Sequence, residues 1–158
     1  MFRTGILRGI WIAAAAREPL VPIDKVRAVP NRGLEGDRYF LKCGTFSTWP
    51  GGGRAVTLIA EEALDAIRVE HGLDLHEGRS RRNLVTSGIA LDELQDRMFR
   101  IGTAVFRGVR PCHPCRHLEG ITEGGVFDAL KDRGGFRADV IEEGVIHIGD
   151  AIELIPIS

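Results

Sequence analysis

Apolar residues along this 158-residue chain come in short runs, several of them alternating with polar positions, and glycine or proline separates one run from the next. Alternation with a period of two is the mark of a half-buried strand, and glycine and proline mark the turns between strands. The pattern predicts strands over Gly5–Ile12, Val21–Val29, Ala55–Ile59, Asn83–Thr86, Met98–Phe106, Arg137–Ile141 and Val145–Leu154. Two of these echo each other, Phe99-Arg-Ile-Gly-Thr-Ala-Val-Phe106 and Ile146-His-Ile-Gly-Asp-Ala-Ile-Glu-Leu154. Each is read as an apolar strand with a glycine where a barrel strand bends or turns a corner.

Helical spacing is scarce. Glu61–His71 is the clearest case, with two glutamates in the first turn, Leu64 and Ile67 on one face and Gly72 as the stop. Val126–Asp132, closed by Gly134, is a shorter candidate, and Leu91–Leu94 is read as a single turn. No linker, charge block or tandem repeat divides the chain, and its length suits one domain over residues 1–158. The expected fold is mostly β: a closed or nearly closed antiparallel barrel with two or three short helices, since closure removes exposed sheet edges.

Composition narrows the functional classes. A formal net charge of −1 argues against a general nucleic-acid binder, and no apolar run is long enough to cross a bilayer. With no basic-then-apolar leader at the start, the cytoplasm is the expected compartment. Of 21 basic residues only Lys25, Lys42 and Lys131 are lysines. Arginine presents a planar fork of donors suited to phosphate and carboxylate, so an arginine-lined site for an anionic ligand is consistent with this bias, as is codon usage.

Three clusters stand out. Arg110-Pro-Cys-His-Pro-Cys-Arg-His-Leu-Glu119 gathers two of the three cysteines, and its prolines disfavour helix around them. Arg110 and Arg116 favour the thiolate, the reactive and metal-binding form of Cys115. A Cys-x-x-Cys pair also suits zinc, with Cys112, Cys115 and His117 as ligands, but a closed zinc site needs a fourth ligand that the sequence does not supply nearby. A redox pair and two buried small hydrophobes are the other readings of the same cysteines. Arg79-Ser-Arg-Arg-Asn83 is either a solvated turn or a clamp for a phosphate or pterin-like group. Gly33-Leu-Glu-Gly-Asp-Arg38 is a turn whose amides can approach a ligand, or a tight turn in which Arg38 pairs with Asp37 or another carboxylate. No Gly-x-Ser-x-Gly elbow or His-Glu-x-x-His helix points to a serine hydrolase or zinc protease.

In this order the clusters resemble the MOSC domain, the family related to the C-terminal part of molybdenum cofactor sulfurases. The resemblance runs through Gly33–Arg38, Val56-Thr-Leu-Ile-Ala-Glu61, Arg82-Asn-Leu-Val-Thr-Ser-Gly88, Phe99–Ala104, Pro111-Cys-His-Pro-Cys115 and Ile148-Gly-Asp150. It implies a β-barrel that binds the molybdenum cofactor (molybdopterin) and reduces N-hydroxylated compounds, with Cys115 as the molybdenum ligand. It further implies cofactor contacts from Arg81, Arg82, Asn83 and His113, with Gly36, Asp37 and Arg38 in the glycine turn. His117 or Glu119 is the expected proton donor. Other members of the family are linked to sulfur transfer, which makes Cys115 a persulfide carrier in the alternative reading; a non-enzymatic cofactor- or metal-binding module is the third. A reductase of this size is expected to take a small-molecule substrate and to receive electrons from a separate donor protein. A homodimer is a second way to complete the pocket, and neither nucleic acid nor membrane is an expected partner.

Overall fold

The computed structural model of the chain describes residues 4–15, 17–41, 55–112 and 134–156. Its strands are β1 (Thr4–Ile12), β2 (Val21–Ile23), β3 (Lys25–Val29), β4 (Gly33–Leu34), β5 (Val56–Ala60), β6 (Leu84–Ser87), β7 (Met98–Ile101), β8 (Ala104–Pro111), β9 (Phe136–Glu142), β10 (Gly144–His147) and β11 (Ala151–Leu154). One α-helix, α1 (Glu61–His71), and one 3-10 turn, Leu91–Leu94, complete the described elements. The third helix candidate, Val126–Asp132, lies outside the described residues.

Seven strands close on themselves in the order β1-β11-β7-β8-β9-β5-β6 and back to β1, with β2 added beyond β1. The pairing is antiparallel except between β5 and β6, which run parallel with Leu58 opposite Leu84. Parallel neighbours need a crossover, and α1 lies between these two strands in sequence. Glu61 and Glu62 open α1 and Arg68 and His71 close it, matching the macrodipole. Gly72 ends it at φ +68°, where its N–H donates to the Arg68 carbonyl at 3.0 Å. β5 therefore has two covered faces. Leu58 joins the barrel interior while Ile59 packs with Leu64, Ile67 and Leu75 beneath the helix, which is why four of its five residues are buried without alternation.

Three predicted strands are broken in two. Val21–Val29 divides at Asp24, where β2 stays with the barrel and β3 passes to a second sheet of order β10-β3-β4. The echoed glycines are turns between strands, with φ +57° at Gly102 and φ +95° at Gly149. Gly102 closes the β7–β8 hairpin, and Gly149 sends the chain from β10 back into the barrel as β11. The two turn regions also meet: Val145 N–H donates to Thr103 Oγ1 at 2.8 Å.

The barrel interior is filled from all sides. Phe99 and Phe106 stack with ring centroids 5.4 Å apart, and Leu7, Ile10, Leu34, Leu84 and Phe136 join them in one buried cluster. Phe106→Ala is expected to destabilise the fold by about 3–5 kcal/mol in denaturant unfolding, because the barrel cannot collapse around the void. Ile141, which is 40% exposed, is the control: Ile141→Ala should cost about 0.5 kcal/mol or less.

Candidate functional site

One end of the barrel gathers the last residues of β1 and β8 and the first residues of β5, β6 and β9. This follows from the register, in which Ile10 faces Leu84, Leu58 faces both Leu84 and Phe136, and Pro111 faces Phe136. The described parts of all three sequence clusters arrive at this end.

Asn83 sits at the centre, 3% exposed. Its Oδ1 accepts from the Thr57 N–H and from Thr57 Oγ1, both at 3.2 Å, while its own N–H donates to Thr57 Oγ1 at 3.0 Å. Its Nδ2 donates to the Trp11 carbonyl at 3.0 Å, and Trp11 N–H returns a bond to the Asn83 carbonyl at 2.7 Å. The amide thus ties β1, β5 and β6 together. Thr57 was not among the residues singled out from sequence; the only signal was a lone polar position in the run Val56-Thr-Leu-Ile-Ala60.

Arg81 and Arg82 are 8% and 7% exposed, so the segment is not a solvated turn. Arg81 has φ +65° and Nη1 donates to the Glu18 carbonyl. Arg82 Nε donates to the Gly134 carbonyl at 2.7 Å. Burial pushes the Arg81 guanidinium down to about 10, with the Arg38 charge acting in the same sense and Asp37 opposing both. Arg81 therefore remains cationic at neutral pH.

Asp37 is 2% exposed, and its Oδ1 accepts from the Ala13 N–H at 3.1 Å and from Arg38 Nη1 at 3.4 Å. The Arg38–Asp37 pair expected from sequence is present. Gly36, at φ +87°, turns the chain into it, and the N–H groups of Glu35 and Asp37 are committed to the carbonyls of Arg27 and Leu34. What the turn brings to the site is a buried carboxylate with its arginine.

Cys112 is 2% exposed, and its N–H donates to the Gly135 carbonyl at 2.9 Å. Gly134 and Gly135 thus hold Arg82 with one carbonyl and Cys112 with the next. Gly135 has φ +98°, and a Cβ there would lie 1.9 Å from the Leu58 carbonyl oxygen, so only glycine fits. Cys115, His113, His117 and Glu119 lie outside the described residues. Among the described residues no group of three or more His, Cys, Asp or Glu side chains is arranged to hold a metal ion.

Thr57→Val keeps the side-chain shape but leaves the Asn83 N–H without its acceptor. It is expected to cost about 1–3 kcal/mol in denaturant unfolding, and Thr57→Ser, which restores the hydroxyl, is expected to recover most of the loss.

No helix of the described residues is long and apolar enough to cross a membrane. No curated protein matches the chain in sequence. Solved structures match it along its length. The YuaD protein of Bacillus subtilis superposes with a TM-score of 0.78 at 18% identity, covering 100% of both chains. YiiM of Escherichia coli does so at 0.70 and 18% identity, over 100% of this chain and 71% of that one. YiiM of Geobacillus stearothermophilus does so at 0.70 and 17% identity, over 96% of this chain and 75% of that one. The MOSC domain profile matches residues 42–153. A barrel of the expected class, with the arginine segment, the glycine turn and the start of the cysteine segment at one end, is therefore a member of the MOSC domain family.

Proposed function

We propose that the chain binds the molybdenum cofactor at this end of the barrel and reduces N-hydroxylated compounds, with Cys115 as the metal ligand. The observation that carries the reading is the burial of Arg81 and Arg82 beside the point where Cys112 leads toward Cys115. Buried guanidiniums are costly unless anions or acceptors satisfy them. Arg38 and Arg81 both lie near the Asp37 carboxylate. Clustered arginines fit the phosphate of a pterin cofactor, and a thiolate is the kind of soft donor molybdenum takes.

When bound, the cofactor would supply the two-electron chemistry that converts an N–OH group, with two electrons and two protons, into N–H and water. The chain's own residues would do the rest. Arg81, Arg82 and Arg38 would fix the anionic part of the ligand, and Asp37 would hold Arg38 in place. Asn83 would keep Arg82 aimed at Gly134 through its bonds to Thr57 and Trp11. His117 would deliver protons to the departing oxygen, and electrons would arrive from a separate donor protein.

Expression in a host that makes the cofactor, followed by metal analysis, tests this reading. Wild-type protein is expected to retain molybdenum and Cys115→Ser to lose it. Arg81→Met and Arg82→Met are expected to bind the cofactor about 10- to 100-fold more weakly, the worth of one charge-assisted hydrogen bond. Wild-type protein without molybdenum, carrying one extra sulfur on Cys115 by mass spectrometry, would replace reduction by sulfur transfer.

A further inference from the structure

Another arginine reaches this end of the barrel from the opposite wall. Arg97 directly precedes β7, and the Gly108 N–H donates to its carbonyl at 2.9 Å, which carries the β7–β8 ladder one residue beyond the Met98–Arg107 pair. Phe99 and Ile101, two and four positions on, are fully buried in the barrel core. Alternation along the strand therefore turns Arg97 to the same inward face. The rungs of the sheet run from Gly108 to Ala138 and from Ala138 to Val56. Val56 and Arg82 each stand two residues before the Leu58–Leu84 pair, so Arg97 and Arg82 lie on one rung. Arg82 shares the inward face with the core residue Leu84 by the same alternation. The interior of a barrel of about eight strands is just wide enough for side chains to fill. Two arginines that enter it from opposite walls come within reach of one group.

The turn before Arg97 fixes its setting. Leu94 is fully buried and lies against Gly108, where a Cβ would come within 2.0 Å of the Leu94 carbonyl oxygen. Asp96 N–H donates to the Gly108 carbonyl and Arg97 N–H to the Leu94 carbonyl, both at 3.0 Å. Asp96, at φ +56°, is exposed, and its Oδ1 lies 3.7 Å from Arg107 Nη2 on the outer face. Gln95 Nε2 donates to the Val109 carbonyl at 2.6 Å. The polar side chains next to Arg97 are thus engaged elsewhere. Arg97 itself is half-buried, and among the described residues its enclosed Nε–H meets no acceptor. A buried donor left unmet costs free energy. On a guanidinium, Nε–H and the adjoining Nη–H form a side-on fork that takes two oxygens of one oxyanion.

We propose that Arg97 is a further anion-binding residue of this barrel end: its fork takes, from the β7 side, the oxyanion that Arg81 and Arg82 hold from the β6 side. The proposal rests on the reading of Arg81 and Arg82 as anion anchors and adds the opposite wall of the barrel to it. Stability and binding are opposed at such a residue. Replacing an arginine that carries an unmet buried donor relieves a cost in the free protein, whereas an arginine kept for the fold would take stability with it. Methionine keeps much of the apolar packing of the arginine stem, so Arg97→Met separates the two roles.

The test titrates the full chain with sulfate at constant ionic strength by calorimetry, and records thermal unfolding in sulfate-free buffer. Arg97→Met is expected to bind sulfate about 10- to 100-fold more weakly than wild type, the worth of one charge-assisted hydrogen bond, with an unfolding midpoint equal to or above that of wild type. Arg97→Lys, which keeps the charge and loses the fork, is expected to fall between the two in affinity. Arg100→Met, on the exposed outer face of β7, should match wild type in both measurements. If Arg82→Met weakens sulfate binding and Arg97→Met does not, the enclosed Nε–H serves water and the proposal is overturned while the anchors stand. Weaker binding in Arg97→Met with none lost in Arg82→Met supports Arg97 as an anion-binding residue and contradicts the reading of Arg82. An Arg97→Met protein that loses stability, beside an Arg97→Lys protein that binds sulfate like wild type, assigns the residue to the fold and overturns the proposal. Wild-type protein that binds no sulfate overturns both readings.

Discussion

The reciprocal exchange between Thr57 and Asn83 is the contact on which the arrangement of this barrel end depends. It lies just before the parallel pairing of β5 and β6, whose orientation no hairpin can provide. One buried amide and one buried hydroxyl satisfy each other there, and the amide's remaining donor reaches across to Trp11 on β1. Removing either partner would strand buried polar groups in a barrel interior that offers few substitutes. With Asn83 fixed, the two residues before it have little choice of direction. Arg82 meets Gly134, and Arg81 meets Glu18 and the Asp37–Arg38 pair.

Electrostatics gives that end its chemical character. Buried arginines are uncommon unless something answers their charge. Carbonyls answer part of it, one each from Glu18 and Gly134, and Asp37 answers another part. Charges in a place of low polarisability interact more strongly than on an open surface, so the buried guanidiniums and Asp37 set the character of this barrel end. On the proposed reading, the cost of burying these groups and the affinity for an anionic cofactor would be two aspects of the same arrangement.

Much of this was legible in the sequence. Helix α1 was predicted with its observed bounds because its caps and its two-residue apolar face are local features. The β-barrel class followed from glycine-punctuated alternation. The echoed glycines were harder to read, since a bend and a reversal share the same residue and differ only in what the neighbours do. Likewise, Val21–Val29 keeps its alternation through Asp24 although its two halves belong to different sheets. The parallel β5–β6 pair was missed because an all-antiparallel barrel satisfies the same hydrophobic pattern. At the site, the arginines and Asp37 were visible as residue types, but Thr57 and the Gly134 and Gly135 carbonyls become partners only through long-range pairing, which spacing along the chain does not encode.

The structure of the protein loaded with the molybdenum cofactor would test the central claim most directly, because the account assigns one place to the ligand. It predicts the phosphate of the cofactor against the Arg81, Arg82 and Arg38 side chains and the Cys115 sulfur bonded to the metal. A cofactor bound elsewhere on the barrel, away from Arg81 and Arg82, would contradict it.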